Sequence, residues 1–311
     1  MGVTGRTARH ALHHPRVPKT GRLDPCDRVA YLAPIVVMST TPELDTAIEI
    51  DNLTFAYGGG GPPVFDRLTL AIPAGARCLL LGANGVGKTT LLRIAAGRHM
   101  LPPQTARVFG RSAFHDTSLA NEVGFIGGPF PFAMDISVGD ILARRPGVPS
   151  QRRAMVMDIL DIDPAWRMHR VSDGQRRRVQ LLLELERSLR LVLLDEVTAE
   201  LDVLARADLL RFLRAESERD GVTVVYASHV LEGLQTFGTH LAFLSPGRLR
   251  RFAPLAEIAE LTAAPRPASD GDTGATIGAV SPLHRLCEQW MIEDRAESRR
   301  GPRPPRPEPS R

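Results

Sequence analysis

The chain has 311 residues, 43% of them apolar, with a mean hydropathy of −0.09, which suits a soluble globular protein of one large domain or two smaller ones. No uninterrupted apolar stretch reaches the roughly 20 residues that a membrane-spanning helix needs. The net charge of +4, from 39 basic and 35 acidic side chains, is too mild to argue for nucleic acid, so no direct nucleic-acid binding is expected.

Residues 1 to about 43 carry Arg6, Arg9, Arg16, Lys19, Arg22 and Arg28 against Asp24 and Asp27, without clear periodicity. Such a start resembles a transit peptide, but it reads better as a disordered arm or an over-extended start, with the folded part beginning near Met38. Cys26, Cys78 and Cys287 lie far apart without metal-ligand spacing, which points to a reducing, cytoplasmic setting with Cys78 as a small core residue.

Residues 44–260 read as the folded body. Ile48, Ile50, Leu53, Phe55 and Tyr57 alternate with one irregularity, and Leu68, Leu70 and Ile72 resume the alternation after a Gly/Pro turn at 58–63. Two antiparallel strands are therefore predicted before the apolar run Cys78–Leu81. That run enters Gly82-Ala83-Asn84-Gly85-Val86-Gly87-Lys88-Thr89, which fits the phosphate-binding loop pattern G-x-x-x-x-G-K-[ST], and a helical stretch from Thr89 and Thr90 to Ala96 leaves it. A triphosphate needs many donors in a small space. Gly82, Gly85 and Gly87 let successive N–H groups face the phosphates, and the helix N-terminus adds its dipole. Lys88 would reach the β- and γ-phosphates and the Thr89 hydroxyl would meet Mg²⁺. The bland alternative is a glycine-rich turn that matches by accident, but the strand before and helix after argue against it.

Residues 134–190 look mostly helical and read as an inserted subdomain. Leu191–Leu194 and Val222–Tyr226 read as fully buried strands separated by helical patterns, the mark of a mostly parallel α/β core. Four further motifs follow the phosphate loop in order. Val171-Ser172-Asp173-Gly174-Gln175 precedes an arginine-rich helix. Asp195, twenty positions after Gln175, ends an apolar strand and is followed by Glu196. Ala199-Glu200-Leu201-Asp202 comes next, and His229 closes the last core strand, Tyr226–His229. Beyond a Pro/Gly-rich linker at 261–280, Leu283, Leu286, Cys287, Trp290 and Met291 recur at helical spacing over 281–296. That helix either docks on its own domain, the preferred reading, or binds a partner. The Pro/Arg tail at 297–311 reads as disordered.

Together the five motifs resemble the ATP-binding cassette (ABC) ATPases over residues 46–250. The resemblance implies a P-loop cassette with an antiparallel β subdomain and an inserted helical subdomain. It implies ATP and Mg²⁺ as ligands, with Asp195 holding the metal through its water shell, Glu196 as general base, His229 as a γ-phosphate contact and Tyr57 stacking on adenine. On local grounds alone, Tyr57 could equally be a strand aromatic and His229 a structural histidine. The family works as two cassettes head to tail, so Ser172, Gly174 and Gln175 would close over the nucleotide of a second copy or a paralogous cassette.

Three features depart from the family pattern. Asp173 and Val171 stand in a signature that usually reads Leu-Ser-Gly-Gly-Gln, Gly128 stands where a loop glutamine is usual, and Val197 replaces a proline. Asp173 either repels a γ-phosphate or is neutralised by a nearby arginine. The run V-S-D-G-Q-R-R-R-V-Q, the L-L-D-E-V-T strand end and the S-P-L-H-R-L helix are similar to the soluble cassettes without membrane domains. That branch includes the fungal cassette associated with the carbon-catabolite-repression/Not complex and plant relatives. It implies a regulatory protein complex as partner. The alternatives are separate membrane transport subunits, with the chain peripheral to the membrane, and a nucleotide-binding scaffold with little turnover.

Overall fold

The computed structural model describes residues 46–58, 61–128, 130, 134–197, 200–231, 233–262 and 281–300. The expected N-terminal arm, nearly all of the linker and the tail beyond residue 300 lie outside them.

A four-stranded antiparallel sheet holds β1 (Thr46–Phe55), β2 (Phe65–Pro73), β4 (Ala106–Val108) and β5 (Arg111–Ser112) in the order β2-β1-β4-β5. The irregularity expected in β1 is a register shift between Ile50 and Leu53, where Asn52 takes a φ of 47°. The six-stranded sheet also contains β3 (Arg77–Gly82), β6 (Val123–Ile126), β7 (Leu191–Asp195), β8 (Thr223–Ala227), β9 (His240–Ser245) and β10 (Arg248–Pro254), in the order β10-β9-β3-β8-β7-β6. Every pairing is parallel except that of the edge strand β10 with β9.

Two readings of the sequence need correction. His229 does not close a strand: β8 ends at Ala227, and the Ser228 hydroxyl accepts from the Val230 amide at 3.0 Å, turning the chain out of the sheet. Nor is β8 the last core strand, since β9 pairs with β3 on its other side.

Side chains alternate across the six-stranded sheet with period two, so its faces bury different sets. Cys78, Leu80, Leu191, Leu193, Val225, Ala242 and Leu244 pack with β1, β2 and the helix α1 (Lys88–Ala95). Burial pushes the Cys78 thiol up to about 12, as fits an inert core residue. Leu79, Leu81, Val192, Leu194, Val224, Tyr226 and Phe243 face the helices α2 (Val138–Ala143), α3 (Ser150–Ile159), α4 (Asp173–Leu185) and α5 (Val203–Asp220). Short helices α6 (Leu234–Phe237) and α7 (Ala259–Thr262) complete this layer. In the helical part, Glu186 is fully buried yet paired with Arg145 at 2.6 Å and Arg153 at 2.7 Å. Its charge is thus matched rather than stranded.

The C-terminal helix α8 (Pro282–Arg300) runs past the expected end at 296 and docks on its own domain. Leu283, Leu286, Cys287 and Trp290 join the helical-face core, and the Trp290 ring meets Phe243 edge-on at 4.9 Å. Beside them the nearly buried Asp294 carboxylate accepts from the Ser245 hydroxyl at 2.7 Å and the Arg250 guanidinium at 3.0 Å. Trp290→Ala is expected to lower unfolding stability by about 3–5 kcal/mol, as a vacated aromatic site in a core does. Urea unfolding checks this, and an unchanged midpoint would mean the helix contributes nothing to the domain. Among the described residues, no helix is long and apolar enough to cross a membrane.

Candidate functional site

β3, β8 and β7 lie side by side and parallel, so their C-terminal ends open on one edge of the sheet, where α/β folds gather ligands. The phosphate loop leaves β3, His229 follows β8, Asp195 ends β7 and Glu196 comes directly after it. Asp195 is in register with Ala227, and the Glu196 amide donates to the Ala227 carbonyl at 3.0 Å, extending the ladder by one residue. Sequence positions far apart are thereby brought within two strand spacings.

Gly87 precedes α1 with φ 105° and no side-chain cap. The first amides of α1 therefore keep their donors available, as an anion site requires. A Cβ on Gly87 would come within 2.7 Å of both the Phe65 ring and Val64. One on Gly82, at φ 146°, would sit 2.3 Å from the Leu244 carbonyl oxygen. The loop is thus held between β2 and β9 by the absence of side chains. Gly87→Ala is expected to destabilise the protein by about 1–3 kcal/mol through backbone strain alone, with added cost from the contact. Thermal unfolding without nucleotide reads this, and an unaltered midpoint would refute it.

Lys88 is buried, and its ammonium donates to the loop's own carbonyls, Gly82 at 2.9 Å and Ala83 at 3.1 Å. Burial lowers its pKa, opposed by the nearby Glu196 and Asp195 carboxylates. The Thr89 hydroxyl donates to Asp195 Oδ1 at 3.1 Å. Burial raises the Asp195 pKa and the Glu196 charge adds to this, while the Thr89 hydrogen bond opposes it. A Cβ on Gly127 would approach the Asp195 Cβ to 2.6 Å, so this loop rests directly against the carboxylate. Two hard oxygen donors side by side, Thr89 and Asp195, fit a magnesium ion that keeps most of its water.

Glu196 adopts φ 55°, a left-handed backbone rare for a residue with a side chain. Its Oε2 accepts from the His229 amide at 3.2 Å and lies 2.5 Å from the His229 Nδ1. Tyr57 lies just beyond β1, with its hydroxyl 2.9 Å from the Thr90 Oγ1 and its ring edge-on to Phe55 and His99. About half of that side chain remains exposed (48%), which leaves ring surface for stacking.

Ser172, Gly174 and Gln175 do not join this cluster within the chain. They form the start of α4, where Ser172 Oγ accepts from the Gln175 amide at 3.2 Å and Gln175 Oε1 accepts from the Ser172 amide at 2.9 Å. Asp173 is 87% exposed and only 3.5 Å from Arg176, the limit of a hydrogen bond, so its charge is weakly matched. Among the described residues, no hydrogen bond links the signature segment to the phosphate loop. The sequence reading quotes Arg177 and Glu200 within two separate motifs but does not foresee their pairing, which spans 23 positions at 3.1 Å. The run of three arginines could not say which of them turned inward.

The sequence pattern of the family described as ABC transporter matches residues 65–199. "ABC transporter I family member 20" of Arabidopsis thaliana is 38% identical, over 82% of this chain and 79% of its own length. The chain belongs to the ATP-binding cassette family. "CCR4-associated factor 16" of Saccharomyces cerevisiae is 34% identical to this cassette, over 80% of the chain and 95% of its own length. Among solved structures, a dimeric ATP-binding cassette in a post-hydrolysis state bound to ADP and Pi covers 67% of this chain and 98% of its own, with a TM-score of 0.57 at 20% identity. That likeness speaks to the fold, a cassette with an antiparallel sheet and a largely parallel core.

Proposed function

We propose that this cassette binds Mg-ATP and hydrolyses it in a head-to-tail dimer, acting in the cytoplasm on a regulatory protein complex. The observation that carries the hydrolytic reading is the Glu196–His229 pair at 2.5 Å, set beside the Thr89–Asp195 pair at the same end of β7. Lys88 and the loop amides would stabilise charge on the transferred phosphoryl group, and Glu196 would orient and deprotonate the attacking water. His229 would face the γ-phosphate, with its ring oriented by Glu196. Thr89 and Asp195 would hold magnesium, whose chemistry there is to neutralise charge on the β- and γ-phosphates. Tyr57 would stack on adenine.

Ser172, Gly174 and Gln175 lie outside this cluster, so a complete site takes them from a second copy or a paralogous cassette. Sedimentation of Glu196→Gln with Mg-ATP is expected to show a dimer, and a persistent monomer would overturn the homodimer.

A regulatory rather than transport role is supported by Gly128 in place of the usual loop glutamine, by the extra C-terminal helix α8 and by a relative named for association with CCR4. The match to the ABC transporter family favours a second reading, an ATP-binding subunit for separate membrane subunits. Affinity capture from detergent-solubilised cells separates them: a polytopic membrane protein would support transport, and soluble partners alone would support regulation.

A further inference from the structure

The Arg177 side chain is 10% exposed, and its donors converge on three elements. Nε and Nη2 hold the two carboxylate oxygens of Glu200 at 3.2 Å and 3.1 Å, in the segment that follows the catalytic carboxylates. Nη1 donates to the Gly128 carbonyl at 3.0 Å, in the loop leaving β6, and to Gln180 Oε1 at 2.5 Å within α4. Each contact sits on something the site uses. The loop carrying Gly128 rests through Gly127 against Asp195. Glu200 is backed onto the signature, where a Cβ on Gly174 would lie 2.7 Å from the Glu200 carbonyl oxygen. Arg177 stands one turn inside α4, whose first residues carry that signature.

We propose that Arg177 is a positioning residue for ATP hydrolysis: it ties the signature helix to the Gly127–Gly128 loop and to Glu200, so that closure of the signature over a nucleotide is transmitted to Asp195 and Glu196 of the same chain. In a head-to-tail pair the signature of one protomer faces the nucleotide of its partner. This tie would therefore report the occupancy of one site to the carboxylates of the other. The planar fork suits the task, since it fixes a carboxylate bidentately and still offers a third direction to a carbonyl. The inference rests on the nucleotide-binding reading above.

The experiment compares the full-length chain with Arg177→Gln, Arg177→Lys, Glu200→Gln and the Arg177→Gln/Glu200→Gln pair. Phosphate release and amide hydrogen exchange over residues 200–206 are read with and without Mg-ATP. In Arg177→Gln, kcat is expected to fall roughly tenfold with the ATP KM within about twofold, the pattern of an interaction made in the transition state. Arg177→Lys, which keeps the charge but lacks the fork, is expected to recover little of it. Glu200→Gln, at an exposed position, is expected to lose a similar factor, and the double variant no more than either single one.

Mg-ATP is expected to slow exchange at 200–206 by about fivefold or more in the wild type and by less than about twofold in Arg177→Gln. If Arg177→Gln fails to fold, the same comparison in Glu200→Gln decides. Equal slowing in wild type and variant, wild-type kcat in Arg177→Gln, or losses that multiply in the double variant would overturn the inference. A wild type that binds Mg-ATP without turnover would overturn the hydrolytic reading and this inference with it, whereas a wild type that turns over leaves the variants to decide this one alone. A wild type showing no response to Mg-ATP would overturn both.

Discussion

Glu196→Gln is expected to lower the rate of phosphate release by about 10²–10⁴-fold while ATP binding persists, the span that a positioned general base contributes. The amide keeps the shape of the carboxylate and can still accept from the His229 amide, now 3.2 Å from Oε2. What it loses is basicity and charge. The bond at 2.5 Å to His229 Nδ1 weakens, so the ring loses its orientation as the water loses its base. Single-turnover phosphate release alongside a binding titration separates these effects. Equal, background-level rates in wild type and variant would leave only a nucleotide-binding scaffold, and equal, rapid rates would move the base elsewhere.

Lys88→Met is expected to weaken ATP binding by about 100-fold or more, since a charge-assisted hydrogen bond is worth about 1.5–3 kcal/mol and the ammonium can make more than one. Lys88 donates to the Gly82 and Ala83 carbonyls of the loop itself. It is therefore held at the loop in advance, and burial has already removed part of its water shell. Methionine retains the aliphatic stem, so the loss reads the ammonium rather than the packing. Calorimetric titration with Mg-ATP measures it, and affinity within a few-fold of wild type would place the phosphates away from this loop.

The phosphate loop was legible because its signal is contiguous: strand, glycines, lysine and helix follow within a few residues. The Asp195-Glu196 pair was legible as a strand end, and the helices between 134 and 190 as a block. Other features were not. β9 shares its apolar character with buried helix segments, and only its parallel pairing with β3 across more than 150 positions settles it as a core strand. Ser228 looked like strand because its role is a local turn made by its own hydroxyl. Tyr57 reads locally as a strand aromatic, yet β1 ends at Phe55 and the Tyr57 hydroxyl meets Thr90 Oγ1, a contact that no local spacing marks. Arg177 and Glu200 each stand in a legible motif, but nothing in local spacing marks a pair that only tertiary folding brings together.

The cap at the start of α4 also settles the placement of a side chain in advance. The Ser172 oxygen already accepts from the Gln175 amide, while the Ser172 amide is taken by the Gln175 side chain. A hydroxyl has one proton and two lone pairs, so this bond uses one lone pair and leaves the proton and the other lone pair for a ligand. The same bonds that start the helix thus fix where the Ser172 hydroxyl sits before any ligand arrives. An incoming group would meet a hydroxyl already placed, a pre-organisation built from secondary structure alone.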